Sequence, residues 1–292
     1  MSTSSSSQVD TLAVRTLRVN RILIIGNNVT RARIITRELS LKPGDTISSS
    51  RIDNQLVRDR AKIYNLRLFN TVVVRWLEFD PVNNAIDIIV ELSERWYTFP
   101  SPIFELSDRN FSEWWHNYDH DWKRVNYGLR LYQTNFRGRN EKVRLTTQFG
   151  YTRKFLLTYS IPNIGLTQKH GLIFDIGYDE PKNVAYFTKD HKLLYLESQK
   201  TLKRQLGVSV TYTYRRSFYE THGISLEYQT SRVADTIPVL NENFFKDGDT
   251  RQRLASIGYS FNSEHRDVVA YPMKGYQFTF YAQKTGLVSV WM

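Results

Sequence analysis

The residues best placed to do chemistry are His116 and His120, four apart in the stretch Trp114-Trp115-His116-Asn117-Tyr118-Asp119-His120-Asp121-Trp122. On a helix that spacing would put both rings on one face, with Asp119 and Asp121 as extra oxygen ligands for a metal. The stretch lacks the glutamate of the zinc-hydrolase motif and falls between predicted strands, so a polar loop is the better reading. Asp175 and Glu227 stand singly on alternating segments, and no general acid and base pair can be assigned to them. There is no Gly-x-Ser-x-Gly, no phosphate-binding Gly-rich loop and no dinucleotide fingerprint, and a chain without cysteine has no thiol nucleophile. These residues lead to the expectation of a protein that is not an enzyme and takes no cofactor or metal.

The elements that would position any function are strands. Val143, Leu145, Thr147, Phe149 and Tyr151 fall on one face of an extended chain, with Arg144, Thr146, Gln148 and Gly150 on the other. Phe155, Leu157, Tyr159 and Ile161 repeat the pattern against Lys154, Thr158 and Ser160, with Leu156 the one apolar intruder, and the short connection predicts an antiparallel hairpin. Segments of about ten residues with one apolar and one polar face carry the signature of a transmembrane β-barrel. A soluble β-sandwich gives the same alternation with the faces reversed in meaning, so both architectures stay open on this pattern alone.

At 292 residues and 41% hydrophobic content the chain holds one large or two ordinary folded domains. No apolar run approaches the length of a membrane helix, and the negative mean hydropathy is compatible with barrel strands that hide half their residues in a polar lumen. The net charge of +11 calls for an anionic partner: nucleic acid, lipid headgroups and acidic proteins compete. The basic residues are scattered, with Arg137 and Arg139 flanking Gly138, Arg215 and Arg216 closing a strand, and Lys200, Lys203 and Arg204 beside a loop. Without a basic stripe on one helix, nucleic acid is not the expected partner, and loop and rim residues facing water or anionic lipid are.

In chain order, residues 1–17 are Ser-rich and read as disordered, without the apolar core of a signal peptide, so a leader removed or replaced upstream is expected. A strand over Val19–Ile25 closes at Gly26. A helix capped by Asn28 or Thr30 then carries Ile34, Ile35 and Leu39 and stops at Pro43-Gly44. Ser48 to Ser50 offer a second cap, for a helix with Ile52, Leu56, Val57 and Ile63 on its stripe; strands Thr71–Phe79 and Ala85–Leu92 follow. This order, and Ile24, Gly26, Asn27, Thr30, Ile34, Glu38, Leu39, Gly44, Asp45, Leu68, Phe69, Val72, Val74 and Glu91 within it, resemble the POTRA domain that precedes the barrel of BamA- and TamA-type outer-membrane proteins. Most of these are fold residues. In such a domain the exposed sheet edge, Val72, Val73, Val74, Arg75 and Trp76, would accept a client strand through main-chain hydrogen bonds.

Residues 95–102 read as a linker whose Trp96, Tyr97 and Phe99 suit a membrane interface or a domain junction. From Ile103 onward only strands and turns are expected, about ten strands in all, including an ambiguous run at Leu193 to Gln199 and a long loop over Thr230–Thr250. Short and long connections alternate, which favours a barrel over a sandwich. Asn135, Phe136, Gly138 and Asn140, and then Glu264, Arg266, Asp267, Pro272, Lys274 and Gly275, resemble the early hairpin and the acidic-arginine, proline-glycine stretch of the same family's barrels. Measured against that family the chain is expected to be truncated, lacking the later strands and the inward-folded arginine loop.

The resemblance thus implies an α+β POTRA domain (β-α-α-β-β) over residues 18–94 and an all-β, antiparallel, incomplete transmembrane barrel over 103–292. It implies the bacterial outer membrane, with the POTRA domain in the periplasm, and non-enzymatic insertion or translocation of other outer-membrane proteins through strand pairing at the POTRA edge and at a barrel seam. That seam would begin at Ile103, Phe104, Glu105 and Leu106. The partners implied are unfolded outer-membrane clients, outer-membrane lipid and lipopolysaccharide, and periplasmic accessory proteins. A passive pore of the same fold is the alternative, because fold alone does not fix function.

Overall fold

A computed structural model describes residues 15–107, 110–165 and 167–287, and the chain divides after Arg95 into two units. The first unit begins with β1 (Thr16–Ile25), whose β-branched residues suit a pleated, half-buried surface. It ends at Gly26, where φ is +89° and a Cβ would lie 2.0 Å from the Leu92 carbonyl oxygen, so only glycine fits. Helix α1 (Ala32–Thr36) is shorter than the Ile34–Leu39 stripe predicts, and neither expected cap is used as one. Asn27 instead bonds the Thr30 carbonyl, and the amides of Val29 and Thr30 donate to the Glu94 carboxylate at 2.9 and 2.7 Å.

A three-residue strand not foreseen in the sequence, β2 (Thr46–Ser48), precedes α2 (Ser49–Asn65), which Ser48 caps by accepting from the Ser50 amide. Ile52, Leu56 and Ile63 of α2 are buried, but Val57 is exposed because it sits one position off that face. Strands β3 (Phe69–Asp80) and β4 (Ala85–Glu94) complete a sheet of order β2-β1-β4-β3, with β1 parallel and β3 antiparallel to β4. Helix α2 packs against β3. Ile34, Ile35, Ile52, Ile63, Ile86 and Ile88 are essentially closed to water, and each contributes about 1.5–3 kcal/mol by burial. Leu68 and Phe69 fill the space beneath them as expected.

Two buried acids fix the helices. Asp59 accepts from the Ser40 amide and hydroxyl, from Gln55 and from Lys62. Glu38 pairs with Arg37 at 2.9 Å.

The second unit is a sheet of order β15-β14-β13-β12-β9-β8-β7-β6-β5, antiparallel throughout. Its strands are β5 (Thr98–Leu106), β6 (Val125–Phe136), β7 (Glu141–Gly150), β8 (Arg153–Ile164) and β9 (His170–Glu180), then, after the hairpin β10 (Asn183–Lys189) and β11 (Lys192–Glu197), β12 (Lys203–Arg215), β13 (Glu220–Val233), β14 (Arg251–Glu264) and β15 (Gln277–Thr285). Among the described residues the end strands β5 and β15 are not paired with each other, so the barrel wall is open.

Four expectations change. The linker reading of 95–102 gives way to strand from Thr98 onward, since the terminal strand of a sheet tolerates Pro100 and Pro102. The Leu193–Gln199 run lies not in the wall but in the β10–β11 hairpin, a separate two-stranded sheet. "Only strands and turns" fails at α3 (Phe111–Asn117) and α4 (Thr236–Leu240), both too short to show a helical period in sequence. The disordered reading of residues 1–17 falls largely outside the described residues, but β1 already begins at Thr16.

Candidate functional site

Both units end in a free strand edge. In the first it is β3, which among the described residues is hydrogen-bonded to β4 on one side only. Of the five residues expected there, Val72 is buried, Val74 and Trp76 are half-buried against the helices, and Val73 and Arg75 are exposed on the opposite face. Helix α2 partly covers this edge. Arg60 Nε donates to the Val72 carbonyl at 2.8 Å, and Trp76 Nε1 donates to Asp53 at 3.0 Å. The Val72 carbonyl therefore turns away from β4, and the two-residue period turns the main-chain groups of Val74 and Trp76 to the same free side. On the outer face Arg75 pairs with Glu91 at 2.5 Å and Arg21 with Asp87 at 2.8 Å. Burial works against the Asp87 charge, but hydrogen bonds from Arg21 and Asn20, with the charge of Arg21, outweigh it and hold the carboxyl below its ordinary 3.8.

In the second unit the expected seam residues lie on β5, which among the described residues pairs only with β6. Ile103 is buried, Phe104 is 67% exposed, and Glu105 pairs with Arg130 at 2.6 Å. Pro100 and Pro102 share one parity, and because a proline cannot donate to a ladder their positions fall on the free side of β5. The edge that would receive a partner thus lacks two donors. The three interface aromatics separate: Trp96 is exposed and donates to the Thr98 carbonyl, and Phe99 stacks on Tyr132 at 6.5 Å. Tyr97 is only 9% exposed, so it does not present its ring to a membrane interface.

The two faces of the wall settle the choice between barrel and sandwich. Leu131, Leu145, Leu157, Ile176, Val208 and Tyr228 form one register row across six strands. Along β12 every second residue, Leu206 to Tyr214, is apolar or aromatic and exposed, and the polar residues between them are less exposed. In a sandwich those oily residues would be the buried ones. The opposite face carries the row Arg144, Thr158, Asp175, Ser209, Glu227, Ser256 and Thr285. Thr158 and Ser209 donate to the two oxygens of Asp175 at 2.7 and 3.0 Å, and Gln283 donates to Glu227 at 3.3 Å. Each acid is held by neutral donors on the polar face, an arrangement that lines a lumen.

The oily band is bounded at both ends. One end carries the row Ile164, His170, Tyr214, His222, Phe261 and Phe280, with ring contacts such as His222 to Phe261 at 5.0 Å. The other carries Arg153, Glu180, Arg204, Arg232 and Arg251. From Arg204 to Tyr214 the chain advances about 33 Å, or about 25 Å of height at barrel tilt, which is the height of an outer-membrane apolar band. Sequence reading missed the arginine row because its members lie on different strands.

The histidine stretch is not the polar loop expected. His116 lies in α3, capped by Asn110, and His120 lies beyond it, its ring 4.5 Å from Trp115 and 6.2 Å from Trp114. Trp114 also meets Trp122 at 5.7 Å, so the stretch is an aromatic cluster. Among the described residues no three His, Asp or Glu side chains converge as metal ligands.

Comparison with known proteins bears on both units. The surface antigen variable number repeat (POTRA) profile matches residues 17–95, and the Omp85 superfamily domain profile matches residues 135–289. Among solved structures, BamA from Haemophilus ducreyi lacking POTRA domains 1–3 is similar over 92% of this chain and 48% of its own, at 15% identity and a TM-score of 0.51. CdiB from Acinetobacter baumannii (12% identity, 92% and 46% covered, TM-score 0.46) and CdiB from Escherichia coli (12%, 85% and 42%, 0.43) are also found. At these identities the BamA likeness speaks for the fold alone, and the chain spans about half the length of the solved structures it resembles. None of the curated proteins compared with the chain matches it.

Proposed function

The chain belongs to the Omp85 superfamily, and we propose that it receives unfolded outer-membrane proteins at the β3 edge and passes them to the β5 edge by strand pairing, with no energy source. Membership places the strand wall in the bacterial outer membrane and the POTRA domain in the periplasm, and gives assembly or secretion of outer-membrane proteins as the general task. The finer reading rests on one observation, a free strand edge in each unit. A client strand added to β3 would gain main-chain hydrogen bonds that it could not make alone in the periplasm. At β5 a partner strand would be held weakly, because Pro100 and Pro102 supply no donors, and a weakly held strand can be exchanged for another. Nothing in this scheme requires bond-making chemistry, so the proposal is non-enzymatic. It includes periplasmic accessory proteins as partners, delivering clients to the POTRA domain.

The test is site-specific photo-crosslinking in the native cell, with the probe at Val73, Leu77 or Phe104, all exposed. Newly exported outer-membrane proteins should crosslink first at the β3 positions and later at Phe104. If depletion of the protein leaves all other outer-membrane proteins folding normally, the insertion role is lost and a passive pore takes its place.

A further inference from the structure

The arginine row is unexplained by strand pairing. Arg153, Arg204, Arg232 and Arg251 have the same strand parity as the exposed oily residues: Arg153 continues Phe155 and Leu157, Arg204 continues Leu206 and Val208, and Arg232 continues Leu226 and Tyr228. They therefore face outward, immediately beyond the apolar band, and not into the lumen. Glu180 is the one acid in the row. It is 8% exposed, accepts from Arg153 at 3.5 Å and Arg204 at 3.1 Å, and receives the Tyr178 hydroxyl at 2.6 Å. Arg232 and Arg251 are exposed, lie directly opposite one another, and have no carboxylate partner among the described residues. Like charges facing across strands repel, and an anion lying along the row would relieve that repulsion.

Beside the row is a cleft of about 470 Å³ lined by Arg153, Lys182, Lys200 and Arg204, with Tyr151 and Glu180 at its base. Four cations thus face one acid that two of them already share. The level of the row in the membrane follows from connectivity. Thr98 begins β5 three residues after Arg95, the last residue of the periplasmic unit, and β5 runs from Thr98 to Leu106 in the direction that leads along β9 from His170 to Glu180 and along β12 from Tyr214 to Arg204. The arginine row is at the other end of the strands, at the outer leaflet.

The geometry points to a binding site for phosphorylated lipid headgroups of the outer leaflet along the outward ends of β8, β9, β12, β13 and β14. Guanidinium forks match phosphate oxygens in pairs, Glu180 pre-orients two of them, and four arginines over five adjacent strands suit a headgroup with more than one phosphate. The acyl chains of the same lipid would lie on Phe155, Tyr178 and Leu206 just below. The opposite rim carries a row of rings and histidines, and the cations beyond it are already engaged, Arg215 with the Ser217 and Phe218 carbonyls and Arg216 with Glu220. The inference depends on the membrane location and not on client handling, so either can fail without the other.

The test uses the full chain folded in dodecyl maltoside micelles. A bimane label on Thr201→Cys reports from the cleft wall, since the chain has no other cysteine. Micelles doped with diphosphoryl lipid A should give a saturable change, and micelles doped with the dephosphorylated lipid should not. Arg232→Gln with Arg251→Gln, which leaves the Glu180 pairs intact, should weaken binding about tenfold or more, whereas Lys169→Gln with Arg216→Gln at the opposite rim should not. Arg251→Gln alone tests the same point if the double variant does not fold. Equal binding of the dephosphorylated lipid, or unchanged affinity in the Arg251 variants, overturns the site. Saturation by sodium pyrophosphate in lipid-free micelles, at the affinity seen with lipid A, would make it a soluble-anion site and overturn the lipid assignment.

Discussion

Gly26 and Gly44 have nearly the same backbone, φ of +89° and +94°, but different surroundings. At Gly44 a Cβ meets nothing within 4 Å, while at Gly26 it would lie 2.0 Å from the Leu92 carbonyl oxygen and 3.0 Å from its carbon. Alanine at position 44 should therefore cost only the left-handed backbone, about 1–2 kcal/mol. Alanine at position 26 carries the same cost and also forces β1 and β4 apart by more than an ångström. That movement loosens the Ile25 to Glu91 end of the parallel ladder and the Glu94 carboxylate that holds the Val29 and Thr30 amides. Two or three hydrogen bonds at about 1 kcal/mol each bring the total to roughly 3–5 kcal/mol. A domain of this size has about 4–12 kcal/mol in all, so Gly26→Ala should leave it partly unfolded and Gly44→Ala should not. Hydrogen–deuterium exchange of the full chain, followed over residues 16–95, measures both. Equal protection in the two variants would mean that the close approach to Leu92 carries no energy.

Other perturbations have expected outcomes of the same kind. Asp59→Ala removes the acceptor shared by the Ser40 amide and hydroxyl, Gln55 and Lys62 and should cost about 3 kcal/mol, read by the same exchange measurement. Asp87 has a lowered carboxyl pKa, so its contribution is complete above about pH 5 and is lost as pH falls through that lowered value; the POTRA unit should weaken on acidification toward pH 3, and Asp87→Asn should flatten that part of the profile. Val74→Pro removes a donor from the free side of β3 and should cut client crosslinking at Leu77 with the fold intact, whereas Val73→Pro breaks the β3–β4 ladder and should unfold the strand. Identical behaviour of the two proline variants in exchange and crosslinking would mean that the free side has been misassigned.

What could be read from the sequence was whatever a two-residue period writes in adjacent positions. β7, β8 and β12 alternate cleanly because one face is oily and the other wet, and the structure keeps them as wall strands. The run Leu193-Leu194-Tyr195-Leu196 has no such contrast, and it folds as a hairpin outside the wall. Pro238 inside the five residues of α4 hid a helix, and the paired prolines at 100 and 102 hid a strand, in each case because the residue disfavours the element in general but is tolerated in its first turn or on its free edge. The apolar cluster of Val184, Leu202, Val233, Ile237 and Phe245 joins β10, the end of β13, α4 and two loop residues far apart in sequence and had no local signal. The β3 edge was legible from element order, but its partial cover by Arg60 was not, since only the fold brings α2 onto β3. The arginine row did leave a signal: each member continues the parity of an oily face, although its alignment across strands appears only in the register.

The oily face of the wall meets lipid and the polar face meets water. The absence of cysteine allows single cysteines to be placed at each position from Leu206 to Thr213 of β12, labelled with a fluorophore, in the full chain reconstituted into bilayers. Quenching should alternate with every residue, by brominated acyl chains at 206, 208, 210 and 212 and by aqueous iodide at 207, 209, 211 and 213. Iodide quenching of all eight positions alike, or protection of the even positions from both quenchers, would contradict that division of the faces.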